Sequence, residues 1–328
     1  MDASLESVVT RNGGFFTRAQ ALDCGWLDRD LLAARRAGVI VRLRQGAYSP
    51  AEINSRLDDS GRHIVLAKAV LQQQRGAVAL TGVSAAALHG LALWGHDLSV
   101  VHVVRLDDGA SRHETGVKHH RVRDQVADCV EVVDGVRVIG VARTVWEVAS
   151  MSRLESGVCV ADSAIRQYPL VGEQLRQFNA QFAHRPGTRS ARMALRLANP
   201  RSESAGESIS RVWFFLGGIP APQLQVPIYD RDGQLIGRSD FCWPEYRHLG
   251  EFDGKIKYGA LLRPGEDATD ALFREKRRED ALRAELYGMS RWTWADLMPA
   301  GRLTFIQRLH FDLNRSAQLY GTRTARTA

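Results

Sequence analysis

Apolar and polar residues follow one another along the last third of the chain in an order that predicts alternating helices and strands. A helix begins at Ser204 or Gly206 and ends at Gly217 and Gly218. Runs that alternate apolar and polar residues follow, separated by short polar turns, and predict three strands over residues 224–229, 235–243 and 248–256. A charged helix, a strand and a terminal helix complete the pattern over residues 268–285, 290–297 and 301–319.

Two of these predicted strands carry carboxylates among apolar neighbours. Asp240 lies in the second strand, and Glu251 and Asp253 lie in the third. Antiparallel pairing of the two strands would bring Asp240 and Glu251 close together, where like charges are unfavourable without a cation. A divalent metal accepts carboxylate oxygens and supports phosphodiester hydrolysis, so the pattern predicts a site for Mg²⁺ or Mn²⁺. The structural alternative is that these acids pair with arginines, Asp240 with Arg238 and Glu251 with Arg291.

The beginning of the chain predicts a short helix from Thr17 to Gly25, a second helix over residues 27–36, and two short strands joined by a turn near Arg44 to Gly46. Two helices followed by a basic hairpin are typical of a winged helix, whose second helix enters the major groove of DNA. The arginines expected to contact phosphates are Arg29, Arg35, Arg36, Arg42 and Arg44. The alternative is a winged domain that binds protein.

Composition limits the number of domains and the cellular location we expect, but it does not identify a reaction. The 328 residues are enough for two or three domains, and the net charge of +7 is a weak indication of a nucleic-acid partner. The four cysteines form no CxxC pair, which argues against a zinc site or a disulfide framework. No apolar run is long enough for a membrane span, and the first residues lack an apolar signal core, so we expect a cytoplasmic protein with no membrane partner.

The N-terminal segment resembles the winged-helix domain of AbiEi-type antitoxins over about 40 residues. The resemblance lies in Gly14, Phe16, Thr17, Arg36-Ala37-Gly38, Arg44-Gln45-Gly46 and Tyr48. The middle of the chain resembles the second domain of the same family through GVSAAALHGL and ARTVWEVA. The resemblance implies a DNA-binding module, followed by a structural or partner-binding domain, in a toxin–antitoxin or defence setting.

The last hundred residues resemble the PD-(D/E)XK superfamily of restriction-endonuclease-like nucleases, most closely its Vsr-like branch. The residues that carry this resemblance are Glu207, Asp240-Phe241, Glu251-Phe252-Asp253-Gly254, Glu275-Lys276-Arg277 and Arg291 to Trp294. It implies that Glu207, Asp240 and Glu251 bind the metal. Asp253 stands where the family motif has lysine, which leaves Lys255, Lys257 and His248 as alternative helpers in water activation.

The sequence therefore predicts an α+β multidomain protein. We expect a winged helix over residues 1–55, a mixed α/β middle domain over 60–185, and a restriction-endonuclease-like α/β/α domain over 200–312. The predicted function is metal-dependent endonuclease action on nucleic acid, DNA rather than RNA, with Glu207, Asp240, Glu251, Asp253 and Lys255 in the catalytic site. Lys276 and Arg277 would contact phosphate, and the protein would have a cognate toxin or antitoxin partner. The alternative is a non-catalytic, DNA-binding antitoxin or transcriptional regulator with an inactive nuclease-like domain.

Overall fold

The fold is that of a computed structural model, which describes residues 2–74, 76–107, 114–120, 127–254, 277, 281–282 and 284–321. It combines helices with three β-sheets, so the chain belongs to the mixed α/β class. The chain divides into two compact units, of which the first comprises Met1–Val160 and Gln167–Met193 and the second comprises Ala161–Arg166 and Ala194–Ala328. No helix in the described part of the chain combines the length and the apolar character needed to cross a membrane.

The first unit begins with three helices and a small sheet. The elements are α1 (Ala3–Asn12), β1 (Phe16–Thr17), α2 (Arg18–Asp23), α3 (Asp28–Arg36), β2 (Ile40–Arg44) and β3 (Ala47–Pro50), and the strands are ordered β1-β3-β2. Thr17 caps α2 as the sequence predicts, because its hydroxyl oxygen accepts the N–H of Gln20 at 3.3 Å. The predicted helix pair and strand pair are confirmed, whereas α1 was not among the predicted elements.

The rest of the first unit surrounds a five-stranded sheet ordered β6-β5-β4-β8-β7. Its strands are β4 (Val78–Leu80), β5 (Val101–Arg105), β6 (Val117–His120), β7 (Val130–Val133) and β8 (Val136–Ile139). The helices are α4 (Ala51–Arg56), α5 (Asp59–Gln73), α6 (Gly82–Leu88), α7 (Val141–Met151), α8 (Leu154–Gln167), α9 (Val171–Gln181) and α10 (Thr188–Leu197), and the division between the units falls within α8 and α10. Buried valines and alanines of the strands and of α5 and α6 form its core.

The second unit contains a four-stranded sheet ordered β12-β11-β10-β9. After α11 (Ala205–Leu216) come the strands β9 (Gln223–Tyr229), β10 (Leu235–Trp243), β11 (His248–Asp253) and β12 (Gly288–Thr293), and then α12 (Trp294–Leu297) and α13 (Arg302–Tyr320). The first three strands form an antiparallel meander, and β12 lies parallel to β11. Phe214 of α11 packs between aromatic rings of the sheet and of α13, at centroid distances of 5.3 Å to Phe241 and 6.3 Å to Phe305.

The predicted final strand is shorter than the sequence pattern suggested. It was expected over residues 290–297, but β12 ends at Thr293 and the next residues form α12. The reason is local, because Asp296 accepts the backbone N–H of Thr293 at 2.9 Å in a capping box that starts the helix. Trp292 consequently lies in the aromatic core, 5.1 Å from Phe241, and Trp294 opens the helix. Most of the charged helix predicted over residues 268–285 lies outside the described residues.

Candidate functional site

Strand register places polar side chains in one row across the sheet of the second unit. Phe241 pairs with Gly250 on β11 and with Leu224 on β9. Continuing the same register sets Asp240 between Gln225 on one side and Glu251 on the other. Glu251 in turn pairs with Arg291 of β12. The predicted approach of Asp240 to Glu251 therefore follows from the register, and the row extends to all four strands.

Asp240 lies at the centre of this row and is partly buried. Its Oδ2 accepts the backbone N–H of Phe252 at 3.0 Å, which ties the carboxylate to β11. Burial, together with the nearby charges of Glu207 and Glu251, raises the pKa of Asp240 to about 6. Hydrogen bonds from the Phe252 N–H and the Gln225 side chain act in the opposite direction. Asp240 therefore lies in a poorly solvated position close to two other negative charges, and this combination is common in functional sites.

Glu207 reaches the same region from the first turn of α11. A Cβ at Gly206 would overlap the ring of Phe252, so the glycine permits a close approach of the helix to β11. Glu207 is only 7% exposed, and its Oε2 accepts the N–H of Glu203 and the side-chain amide of Gln225, each at 2.9 Å. The hydroxyl of Ser204 donates to Oε1 at 2.8 Å. Glu207 therefore serves the start of the helix as well as facing Asp240.

The arginine alternative holds for one of the two central carboxylates. Nε of Arg291 donates to Oε2 of Glu251 at 3.1 Å, and Glu251 is only 8% exposed. Arg238, by contrast, pairs with Glu203 through a 2.6 Å contact between NH2 and Oε2. Within the described residues, the partners that lower the pKa of Asp240 are hydrogen-bond donors without charge. Among the described residues, the cation that pairs with this row is Arg291, which lies at one end of it.

The oxygen donors suit a hard divalent cation such as Mg²⁺ or Mn²⁺. Among the described residues, however, no three His, Cys, Asp or Glu side chains are already assembled as metal ligands. Glu207 is held by its helix-capping partners and Glu251 by Arg291. The donor chemistry thus fits a cation, and binding would require Glu207 and Glu251 to exchange these contacts for it.

The remaining predicted catalytic helpers fall in different places. Asp253 ends β11 and pairs in register with Thr293. Lys255, Lys257 and Lys276 lie outside the described residues, and Arg277 is exposed. His248 is fully engaged elsewhere, because Nδ1 lies 2.8 Å from the Ser316 hydroxyl and Nε2 lies 2.9 Å from the Ser290 hydroxyl. Burial lowers the pKa of His248 to about 4, so it is a neutral structural histidine rather than the helper that the sequence left open.

The predicted phosphate-binding arginines of the first unit divide into two groups. Arg29, Arg35 and Arg36 are exposed on α3, and Arg42 is exposed on β2. Arg44 differs, because its guanidinium pairs with Glu114 and its side chain is only 16% exposed. The ion pair holds Arg44 against Glu114, a residue 70 positions away, and its predicted phosphate contact stays a prediction.

The sequence did not predict a role for Gln225 or for the buried pair of Asp162 and Arg211 in the second unit. Gln225 donates to Glu207 and lies opposite Asp240 in register, and its sequence signal is a polar residue between Leu224 and Val226. Asp162 is buried and paired with Arg211 at 2.8 Å, with the hydroxyl of Ser208 at 2.7 Å. Their separation of 49 positions leaves no local pattern that could reveal this pair.

Comparison with known proteins places the chain among relatives whose roles are not described. Residues 5–51 match the family model for "Transcriptional regulator, AbiEi antitoxin". The crystal structure of the RV2827C protein from Mycobacterium tuberculosis is 15% identical, covers 71% of this chain and 89% of that chain, and has a TM-score of 0.38. Two uncharacterized M. tuberculosis proteins, MT2308 and Rv2248, are each 31% identical over 218 residues, which span 66% of this chain and 74% of each relative. The chain belongs to the family of these uncharacterized mycobacterial proteins.

Proposed function

We propose that this protein is a metal-dependent endonuclease that hydrolyses phosphodiester bonds in nucleic acid. In this proposal the N-terminal segment is a winged helix that binds DNA, and the second unit has a restriction-endonuclease-like fold of the Vsr-like type. The order of a helix, three antiparallel strands and a final strand parallel to the third supports that fold. Substrate binding would take place in the cytoplasm, with DNA preferred over RNA.

The observation that carries the proposal is the convergence of three carboxylates on one row of the sheet. Asp240 lies between Gln225 and Glu251 by register, and the charges of Glu207 and Glu251 both act on it. Like charges that are brought together in a protein interior call for a cation. Bound Mg²⁺ or Mn²⁺ would stabilise the charge that develops on the phosphate and lower the pKa of a water molecule.

The chain's own residues would bind and orient the reacting groups. Asp240 and Glu251 would hold the cation, and Glu207 would reach it from α11 directly or through water. Arg291, released from Glu251, would remain close enough to neutralise charge on the phosphate. Asp253 and Lys255 remain proposed helpers, and Lys276 and Arg277 proposed phosphate contacts.

The N-terminal segment would supply affinity for the nucleic acid. The model matched by residues 5–51 describes a transcriptional regulator and antitoxin, which supports DNA binding and a toxin or antitoxin partner. Exposed arginines on α3 and β2 are suited to phosphate contacts, because guanidinium groups donate in a fork that matches phosphate oxygens. Arg44 remains a proposed phosphate contact, and its pair with Glu114 ties β2 to that residue.

A cleavage assay tests the enzymatic proposal. Supercoiled plasmid and single-stranded RNA are incubated with the purified protein and Mg²⁺ or Mn²⁺. We expect metal-dependent cleavage of plasmid by the wild type and its loss in Asp240→Asn and Glu251→Gln. Glu245→Gln is the matched control, since Glu245 is an exposed acid in the turn between β10 and β11. Absence of cleavage by the wild type, or equal cleavage by Asp240→Asn, would contradict the proposal.

A second candidate function is a non-catalytic DNA-binding regulator of the antitoxin type. The match of residues 5–51 favours it, together with the capping role of Glu207. In a gel-shift assay with the promoter of its own gene, this function predicts that Arg35→Ala/Arg36→Ala abolishes specific binding. Asp240→Asn would retain full binding and repression, with no cleavage at any metal concentration.

A further inference from the structure

Gln225 has an unusual backbone conformation for a residue in the middle of a strand. Its φ angle is +54°, which lies in the left-handed region that disfavours residues other than glycine, asparagine and aspartate. The neighbouring residues keep the ordinary antiparallel register, with Leu224 opposite Phe241 and Val226 opposite Ser239. The strand therefore departs from β geometry at one residue and resumes it at once, directly beside Asp240.

The side chain of Gln225 explains what this departure achieves. Its amide nitrogen donates to Oε2 of Glu207 at 2.9 Å, and its side chain lies close enough to Asp240, its neighbour in register, to lower the pKa of that carboxyl. An amide nitrogen has two N–H donors, so one group can serve both carboxylates. The orientation of the amide is fixed by its partners, because a carboxylate accepts hydrogen bonds and would repel Oε1. Gln225 is thus a bridge between the helix acid and the strand acid.

Two features of Gln225 are unfavourable for the stability of the fold. Left-handed backbone at a residue with a long side chain is strained. In addition, Oε1 of Gln225 is buried and has no hydrogen-bond partner among the described residues, which is unfavourable for a polar atom. Features that persist against stability are concentrated at functional positions.

We propose that Gln225 is the positioning residue of the metal site, which holds the carboxylates of Glu207 and Asp240 side by side so that both can face one divalent cation. The inference rests on the proposed function. The amide holds Oε2 of Glu207 beside Asp240, and Oε1 of Glu207 would bind the cation in exchange for its contact with the Ser204 hydroxyl. Groups that orient metal ligands in this way commonly contribute 10- to 100-fold to metal affinity.

Calorimetric titration of the full-length protein with Mn²⁺, paired with thermal unfolding, tests this role. Gln225→Gly removes the bridge and accepts a positive φ without strain. We expect its Mn²⁺ affinity to fall about 10- to 100-fold while its Tm in metal-free buffer stays unchanged or rises. Gln225→Asn is a second variant, since asparagine tolerates the left-handed region but its shorter side chain cannot span both acids; it should also lose affinity while remaining folded.

Gln223→Gly provides the matched control, because Gln223 is an exposed glutamine two residues earlier on β9. Its Mn²⁺ affinity should equal that of the wild type, and its Tm should fall because glycine weakens an ordinary strand position. Wild-type affinity in both Gln225 variants would overturn the positioning role while leaving the metal site intact. A parallel loss of Tm and affinity in both would assign Gln225 a structural role instead. No Mn²⁺ binding by the wild type would overturn the proposed function as well.

Discussion

Two aspartates of the second unit, the buried Asp162 and the half-buried Asp240, have opposite surroundings. Asp162 is 1% exposed and is surrounded by donors: the guanidinium of Arg211 at 2.8 Å, the hydroxyl of Ser208 at 2.7 Å and the N–H of Asn199 at 2.7 Å. Burial raises the pKa of Asp162, and the polar partners named here all lower it. Asp240 has the same penalty from burial, but two of its neighbours are acids that raise its pKa again.

The difference shows how to separate a structural acid from a candidate functional one. Burial alone does not distinguish them, because it disfavours the charged form at both positions. The neighbouring groups do distinguish them, because those around Asp162 compensate its negative charge and the acids around Asp240 add further negative charge. A carboxylate placed among like charges is suited to binding a cation or a proton. A carboxylate whose charge is compensated by donors links the secondary-structure elements that carry them.

The largest effect is expected from breaking the compensated pair. Arg211→Leu should leave Asp162 buried without its cation and lower the free energy of unfolding by about 3–5 kcal/mol. Urea unfolding measures the loss. Replacing both residues, in Asp162→Leu/Arg211→Leu, should recover most of it, because no uncompensated charge remains. A loss below about 1 kcal/mol in the single variant would show that this pair is not the structural centre described here.

A second prediction concerns His248, which is buried and hydrogen-bonded to two hydroxyl groups, with the nearby charge of Asp312 opposing the effect of burial on its pKa. Its folded-state pKa of about 4 lies below the ordinary value of 6.5, so the unfolded chain binds the proton more tightly. Stability from this residue is complete above about pH 6.5 and is lost as the pH falls towards 4, by an amount on the order of 2–3 kcal/mol.

Urea unfolding of the wild type and of His248→Gln between pH 7 and pH 4.5 measures this dependence. The variant should lose less stability over that range than the wild type. The comparison between proteins is needed because His102, in the first unit, also has a pKa lowered to about 4 by burial. Identical pH dependence in the two proteins would contradict the buried neutral state of His248.

A third prediction is that removing the central charge stabilises the protein. Asp240→Asn should raise the free energy of unfolding in metal-free buffer by about 0.5–2 kcal/mol, as substitutions that relieve unfavourable charges commonly do. Asparagine retains an oxygen that can accept the N–H of Phe252. Urea unfolding at pH 7 measures the gain. Destabilisation of this variant would mean that Asp240 is a structural acid like Asp162.

The smallest effect is expected at an exposed acid. Glu245→Gln in the turn before β11 should change the free energy of unfolding by no more than about 0.5 kcal/mol. This variant therefore measures how much the removal of an exposed negative charge alone changes the free energy of unfolding. A shift as large as that of Asp240→Asn would show that net charge, not local repulsion, governs the response.

The sequence was sufficient for features encoded by neighbouring residues. Alternation and turn residues located β9, β10 and β11, and the carboxylates on β10 and β11 followed from that pattern. The early end of β12 was also encoded locally, in the spacing of Thr293 and Asp296, which is a helix-start signal that the strand pattern obscured.

Features formed between distant segments could not be predicted. The pair between Arg44 and Glu114 and the pair between Asp162 and Arg211 require the fold. Gln225 requires more, because its role depends on the register of β9 against β10 and on a backbone angle that no propensity favours. The sequence could indicate which acids converge, but not what holds them in place.

Location of a divalent ion tests the central claim most directly. Crystals of the wild-type protein grown with Mn²⁺ would be measured for anomalous scattering. We expect a peak within bonding distance of the Asp240 and Glu251 carboxylates, with Glu251 released from Arg291. A map without that peak at saturating Mn²⁺, with the Arg291–Glu251 ion pair intact, would contradict it.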